Sequence, residues 1–412
     1  MLNAEQIREL CYLVKVDDIK PIEGKDRVEC AEIGGWTVMV RKGQFQPGNI
    51  GIYFEVDSKV PETEPFWFLE SKHYKIKTQK YKTPSGHFYS QGLLMHPEDF
   101  GFETYIDGDG TQYIHINGKS HCVEDESRFL TKELGVTYEE AGDNIRKAKI
   151  DPNAKYKAMA ARHAKLFRKP WARWMMKRDW GKKIMFFFFG KKKDKPNVWP
   201  SHICRKTDVE RINCLPHIFE DKQPYVASEK VDGSSATFAI EKKGKKFKKY
   251  VCSRNVVFLA ENQKCYYDTN IYFEMYYKYH IGDILEKILN DYNLPNVAIQ
   301  AEIFGSGVQK RDYSMKDGER EIRVFHIVSN GVKFPMDKVV EICDEYGLPH
   351  VPILNDNYIL PDTIEELQAY VEGEPSKIDG LAKEGIVFYD KATGQKYFKF
   401  VSPEFLLRYH NG

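Results

Sequence analysis

No C-x-x-C pair occurs among the eight cysteines, which are scattered as Cys11, Cys30, Cys122, Cys204, Cys214, Cys252, Cys265 and Cys343. That spacing argues against a zinc site or a disulfide framework and fits a reducing compartment, the cytoplasm. Long apolar runs are also missing. The longest, Ile184 to Phe189, falls far short of the ~20 residues that span a bilayer. Met1-Leu2-Asn3-Ala4-Glu5 lacks the basic-then-apolar order of a secretion signal. No membrane partner is expected. Net charge is small too, only +2 over 412 residues. It is unevenly divided, however. Residues 153–195 hold 15 Lys and Arg against 2 Asp and Glu, a local +13, and leave −11 on the rest of the chain. A basic segment of that kind points to an anionic partner. With 42% hydrophobic and 14% aromatic residues, the chain can build two or three domains with cores of their own.

The pattern divides the chain into three regions: residues 1–130, 131–198 and 199–412. The first is β-rich, with short alternating runs at Tyr12-Val16, Val28-Ile33, Trp36-Val40 and Ile50-Val56. Gly34-Gly35, Pro47-Gly48 and Pro61 punctuate them, as in a small barrel. The stretch from Val16 to Arg27 resembles the opening of an OB-fold of the tRNA-binding type, a barrel that commonly holds oligonucleotides on one face. Lys75, Lys77, Lys80 and Lys82 alternate with Tyr74, Tyr81, Phe88 and Tyr89. That mixture suits a groove tracking a single strand, and it equally suits a solvated hairpin. In the middle region, 154–169 has helical composition. Trp171, Trp174 and Trp180 then stand among Arg168, Lys169, Arg173, Lys177, Arg178, Lys182 and Lys183, before Lys191-Lys192-Lys193. Three readings stay open: a grip on nucleic-acid phosphates, contact with an anionic membrane surface, and an amphipathic brace between domains.

From Trp199 onward strands alternate with helices. Strands are expected at Tyr225-Ser228, Thr237-Ile240, Tyr250-Cys252, Val297-Gln300, Val324-Val328, Ile386-Tyr389 and Tyr397-Val401. Helices are expected over Thr269-Leu289, Met336-Tyr346 and Thr363-Val371. Thr207-Asp208-Val209-Glu210 has capping-box spacing, which predicts a helix from Thr207 toward Asn213. The sum is α+β: an OB-like barrel, a basic helical insertion, and a domain of antiparallel sheets with flanking helices.

The most informative short run is Glu229-Lys230-Val231-Asp232-Gly233, at the end of a strand. A lysine amine there can attack the α-phosphate of a nucleotide and hold the nucleoside monophosphate as a phosphoramidate. The amine must first lose its proton, so its pKa has to fall from about 10.4. By itself K-x-D-G is common in a lysine-rich chain. Five residues C-terminal to it, taken in order, carry more weight. Arg254, after a strand, can fork onto a ribose edge or a phosphate. Glu302 ends a strand and can bind ribose hydroxyls or a metal-bound water. Phe325 can stack on a base. Glu384 can hold the hydration shell of a hard divalent cation. Lys399 can neutralise an α-phosphate as charge develops. Each alone has a plainer use as a turn, surface or core residue.

Together these elements resemble the covalent nucleotidyltransferase superfamily of polynucleotide ligases and mRNA capping enzymes, from about Trp199 to Ser402. With the N-terminal OB-like region and the run from Lys206 to Arg211, the chain looks like the ATP-dependent 3′-OH/5′-phosphate RNA ligases. The resemblance implies adenylylation of Lys230 by ATP, transfer of AMP to an RNA 5′-phosphate, and sealing by a 3′-OH. It implies that Asp232, Glu302 and Glu384 hold Mg²⁺ through water, with Mn²⁺ as an alternative. It further places Glu229, Asp232, Gly233, Arg254, Glu302, Phe325, Glu384 and Lys399 at the nucleotide. The implied partner is RNA with a nick or break, in duplex form. Two departures stand out: Tyr397 where the superfamily often has a lysine, and His326 where similar ligases often have aspartate. Only ten residues come after Ser402, whereas DNA ligases and capping enzymes typically place an OB domain there. This order favours RNA ligation over a DNA ligase or a guanylyltransferase. A non-catalytic OB-fold RNA-binding protein is the alternative from outside enzymes.

Overall fold

The computed structural model describes residues 9–84, 86–138, 156, 163, 166, 169–189, 198–212, 215, 218–244 and 246–410. The chain forms two compact units, Met1–Glu139 with Pro200–Gly412, and Glu140–Trp199.

In the first unit, the N-terminal strands alternate inward and outward, as their period-two pattern requires. Cys11–Lys15 pairs with Ile50–Phe54, and that strand with Leu93–Met95. Asp18–Pro21, Val28–Ile33 and Trp36–Arg41 make an antiparallel meander. Trp36, Val38 and Val40 face a core shared with Tyr12, Tyr53 and Leu94. The chain stays with the barrel past residue 130. Leu130 and Val136 are core residues, and Thr137–Tyr138 pairs with Ser58–Lys59.

The C-terminal domain stacks two sheets. A five-stranded sheet runs in the order Glu210–Arg211, Tyr397–Val401, Gly385–Asp390, Pro224–Lys230, Ile353–Ile359. A six-stranded sheet runs Val257–Phe258, Lys246–Ser253, Ser234–Lys243, Asn296–Gly305, Arg320–Ser329, Val332–Lys333. In the Pro224–Lys230 strand, Tyr225 and Ala227 enter an outer core with Phe388 and Phe398. Val226 points the other way, toward the core between the sheets, and Lys230 shares its face by alternation.

Two expectations about local structure need correction. Residues 269–289 form two helices, Ile271–Lys278 and Ile281–Asp291, with His280 in the left-handed region at φ 49°. The first buries Ile271, Tyr272 and Met275, the second Ile281, Ile284, Leu285 and Ile288. On one continuous helix these faces would lie roughly 140° apart, at 3.6 residues per turn, so the break lets both reach the core. Thr207 starts no helix either. Glu210–Arg211 is instead a short strand, parallel to Tyr397–Val401. Arg211 there pairs with Asp57 at 3.2 Å and lies over the Trp36 ring, so long-range contacts outweigh the local capping pattern. Asn213 lies outside the described residues.

The barrel also meets the C-terminal domain through the lysine-rich hairpin Gln79–Thr83 and Gly86–Ser90. Lys80 and Tyr89 both bond to Glu404. Those two side chains therefore brace the unit.

The second unit contains the helices Pro170–Met176 and Asp179–Phe189, packed around buried Ala172 and Met185. Trp171, Trp174, Trp180, Ile184, Phe187 and Phe188 remain exposed, the last two at 82% and 70%. Most of 154–169, and Lys191 to Lys193, lie outside the described residues.

Candidate active site

Strand register brings the sequence elements together. Lys230 ends its strand opposite Gly385, next to Glu384. Its Nζ donates to Glu384 Oε2 at 2.7 Å, with the two side chains 22% and 8% exposed. Burial pushes the Lys230 ammonium toward losing its proton. The charges of Glu384, Glu302 and Asp232 outweigh that burial and hold its pKa above the ordinary lysine value. The sequence led us to expect a lowered pKa. The three carboxylates reverse that direction.

Asp232 is buried, and its backbone N–H donates to the Tyr313 hydroxyl at 2.6 Å. Gly233 cannot carry a side chain here. A Cβ would stand 2.2 Å from the Ile303 carbonyl oxygen and 3.0 Å from Glu302 Cγ. That close approach seats the Lys230 turn on the strand that carries Glu302.

Phe325 owes its placement to a β-bulge. Val324 pairs with Ala301 and His326 with Gln300, so Phe325 is the extra residue. A bulge of this kind re-aims a side chain, and bulges cluster beside active sites. His326 is buried between Phe325, Tyr389 and Tyr397. Its Nδ1 lies 3.2 Å from Gln300 Oε1, while Gln300 Nε2 donates to the Arg205 carbonyl at 2.9 Å. Nδ1 is therefore the donor. Burial, with Lys333 nearby, holds the imidazole neutral, its pKa well below the usual histidine range.

Lys399 pairs with Val387, which pairs with Ser228 on the Lys230 strand. Directly paired residues share a face, so Lys399 lies on the same face as Lys230. Arg254 lies beside the 205–208 segment. Its Nη2 is 3.5 Å from Asp208, and its guanidinium is 5.6 Å from the Tyr138 ring. Tyr397, in the place of the usual lysine, donates its hydroxyl to the Asp208 carbonyl at 2.8 Å. Glu229 alternates away from Lys230. Its carboxylate accepts from Ser376 Oγ and from the Lys377 N–H, and burial raises its pKa. The Glu229 side chain thus anchors the 376–377 segment.

Sequence reading missed several residues that shape this site. Tyr313 and Arg311 come from the loop between the strands of Glu302 and Phe325. Gln300, Ser376 and Asp379 come from other segments. Gln300 lies in an expected strand, but its bonds to His326 and to the Arg205 carbonyl are long-range, and the other four lie in no periodic pattern or short motif. Among the described residues, no three His, Cys, Asp or Glu side chains gather closely enough to ligate a metal directly. Asp232, Glu302 and Glu384 instead converge on one amine, a hard-oxygen set suited to holding a cation through its water shell.

A family model described as RNA ligase matches residues 223–401, and one described as an OB-fold domain matches residues 10–95. No curated protein matches the chain in sequence. Among solved structures, the chain is similar to Naegleria gruberi RNA ligase. A lysine variant of that ligase with AMP and Mn superimposes with a TM-score of 0.69 and 22% identity, covering 98% of this chain and 100% of that one. The same ligase with PPi gives 0.68 and 22%, over 98% and 100%. An arginine variant with ATP and Mn gives 0.68 and 23%, over 98% and 99%. The likeness shows a shared fold, with the barrel preceding a domain of mostly antiparallel sheets.

Proposed function

We propose that this chain is an ATP-dependent RNA ligase that works through a covalent lysyl-AMP, a reading supported by the RNA ligase model matched at residues 223–401 behind an OB-fold domain model at residues 10–95. The observation that carries the reading is the Lys230 amine, 2.7 Å from Glu384 and within the fields of Glu302 and Asp232. Similar structures hold ATP, AMP, PPi and Mn, which supports the choice of nucleotide and of a divalent metal.

Asp232, Glu302 and Glu384 would hold Mg²⁺ or Mn²⁺ through water. When bound, the cation would supply positive charge that offsets these carboxylates and the α-phosphate. With the carboxylates offset, burial governs Lys230 and favours the free amine. Glu384 Oε2 is placed to accept the departing proton. The amine nitrogen then bonds to the α-phosphorus as the bond to pyrophosphate breaks. Lys399 neutralises the α-phosphate, Phe325 stacks on the base, and Arg254 binds at the ribose side. AMP next passes to an RNA 5′-phosphate, and a 3′-OH displaces it to seal the strand.

A nicked or broken RNA duplex is the substrate form we favour. The helical unit supports this, since exposed Trp and Phe side chains stand in a segment of local charge +13. Cations suit the phosphates of a duplex, and exposed rings suit bases left unpaired at a break. The described cysteines are all free thiols, which supports a cytoplasmic setting. No helix among the described residues is long and apolar enough to cross a membrane.

Incubation with α-labelled ATP and Mg²⁺ tests the reading. It should label the protein, pyrophosphate should remove the label, and labelled protein should seal nicked RNA. Label from GTP in place of ATP would move the assignment to a guanylyltransferase. RNA binding without any label would leave a non-catalytic module.

A further inference from the structure

Residues 306–319 connect the strand carrying Glu302 to the strand carrying Phe325, and they do more than close a loop. Gln309, Tyr313 and Ser314 all adopt positive φ, at 58°, 56° and 56°. For L-residues this region is disfavoured, so specific contacts hold it. Those contacts lead to both sides of Lys230. On one side, the Tyr313 hydroxyl accepts the Asp232 N–H at 2.6 Å, and Gln309 Nε2 donates to the Gly233 carbonyl at 3.0 Å. On the other, Arg311 Nη2 grips both oxygens of Asp379 at 2.6 and 2.7 Å, and Nη1 donates to the Ala382 carbonyl, two residues before Glu384. Arg311 and Asp379 are 2% and 1% exposed. The two sides meet where the Arg311 guanidinium lies 4.1 Å over the Tyr313 ring, which also packs edge-on against Phe304 at 4.8 Å.

We infer that Tyr313 is a positioning residue for the first chemical step: its hydroxyl, braced by Arg311, fixes the Val231–Gly233 turn so that Asp232 and Glu384 stay aligned about the Lys230 amine. A packing role alone would need the ring and not the oxygen. The hydroxyl meets a backbone N–H in the very turn that carries the nucleophile, and its brace ends beside the opposing carboxylate. Displacing such a turn by about 1 Å can cost on the order of 100-fold in rate.

This inference rests on the lysyl-AMP reading. The test is Tyr313→Phe in the full chain, followed as single-turnover formation of labelled protein from α-labelled ATP. We expect the rate at saturating ATP to fall roughly 10- to 100-fold, with the ATP concentration for half-maximal rate within about twofold of native. Ile342→Val, in the core helix Met336–Tyr346, supplies a reference for lost stability alone, at equal distance below each melting point. Rates in Tyr313→Phe that match native, or match Ile342→Val, overturn the inference. So does a loss confined to ATP affinity. If native protein fails to take up label, the ligase reading falls and this inference with it. Labelling of native and Tyr313→Phe alike sinks the inference alone.

Discussion

Arg311→Met removes the cation from a buried pair and leaves Asp379 charged where it is 1% exposed. Breaking a buried pair from one side costs about 3–5 kcal/mol, because the remaining charge stays desolvated. Arg311 also loses its bond to the Ala382 carbonyl and its packing on Tyr313, which places the cost toward the upper end. At about 2–4 °C per kcal/mol for a large domain, the melting point should drop by roughly 6–20 °C. Asp379→Leu alone strands the arginine and should cost a similar amount. The double variant Arg311→Met/Asp379→Leu should recover much of the loss, since apolar groups of similar volume replace buried ion pairs at little penalty. Urea and thermal melts on the four proteins give the coupling directly. A single-variant cost below about 1 kcal/mol, the range of exposed pairs, would refute the reasoning. So would a double variant no more stable than either single one.

Glu241 gives a pH signature. Burial pushes its carboxyl up, but bonds from Tyr250, His202 and Lys243 outweigh burial and bring it down to about 2. Such a depressed carboxylate stabilises the fold fully above the unfolded pKa near ~4.3 and loses that stability as pH falls toward ~2. Glu241→Gln should therefore lower stability on the order of 2 kcal/mol at neutral pH, with the gap to native closing below pH ~4. A gap independent of pH would contradict this in melts across that range. In the helical unit, replacing Arg173, Lys177, Lys182 and Lys183 by Gln should flatten the log K against log salt plot for duplex RNA by ~3–4, while adenylylation stays at the native rate. An unchanged slope with tighter binding of native protein to phosphatidylserine vesicles would favour a membrane contact instead.

Local chemistry made much of this molecule legible. The Met336–Tyr346 helix and the Val28–Ile33 strand appear with the bounds their patterns implied. Of the six motif residues, Lys230 ends a strand, Arg254 follows one and Glu384 precedes one, while Glu302, Phe325 and Lys399 lie within strands. Their spacing in sequence reflects strand lengths, and that is why they could be read in order. Long-range competition stayed hidden. Thr207 carries a good helix start, yet Arg211 is drawn to Asp57 and Trp36 from the barrel. The apolar phase shift between Met275 and Ile281 was visible in principle, but composition alone read it as one helix. The resting charge of Lys230 depends on three carboxylates from separate segments, whose sum no local pattern reveals. Glu229 looked like part of the nucleotide site. Its bonds to residues 376 and 377 could be found only in three dimensions.

The most direct test of the central claim is mass spectrometry of peptides from protein incubated with ATP and Mg²⁺, then quenched in mild base to spare the P–N bond. The account predicts an added AMP on the peptide containing Lys230, absent from Lys230→Ala. AMP attached to any other side chain, or persisting in Lys230→Ala, would contradict it.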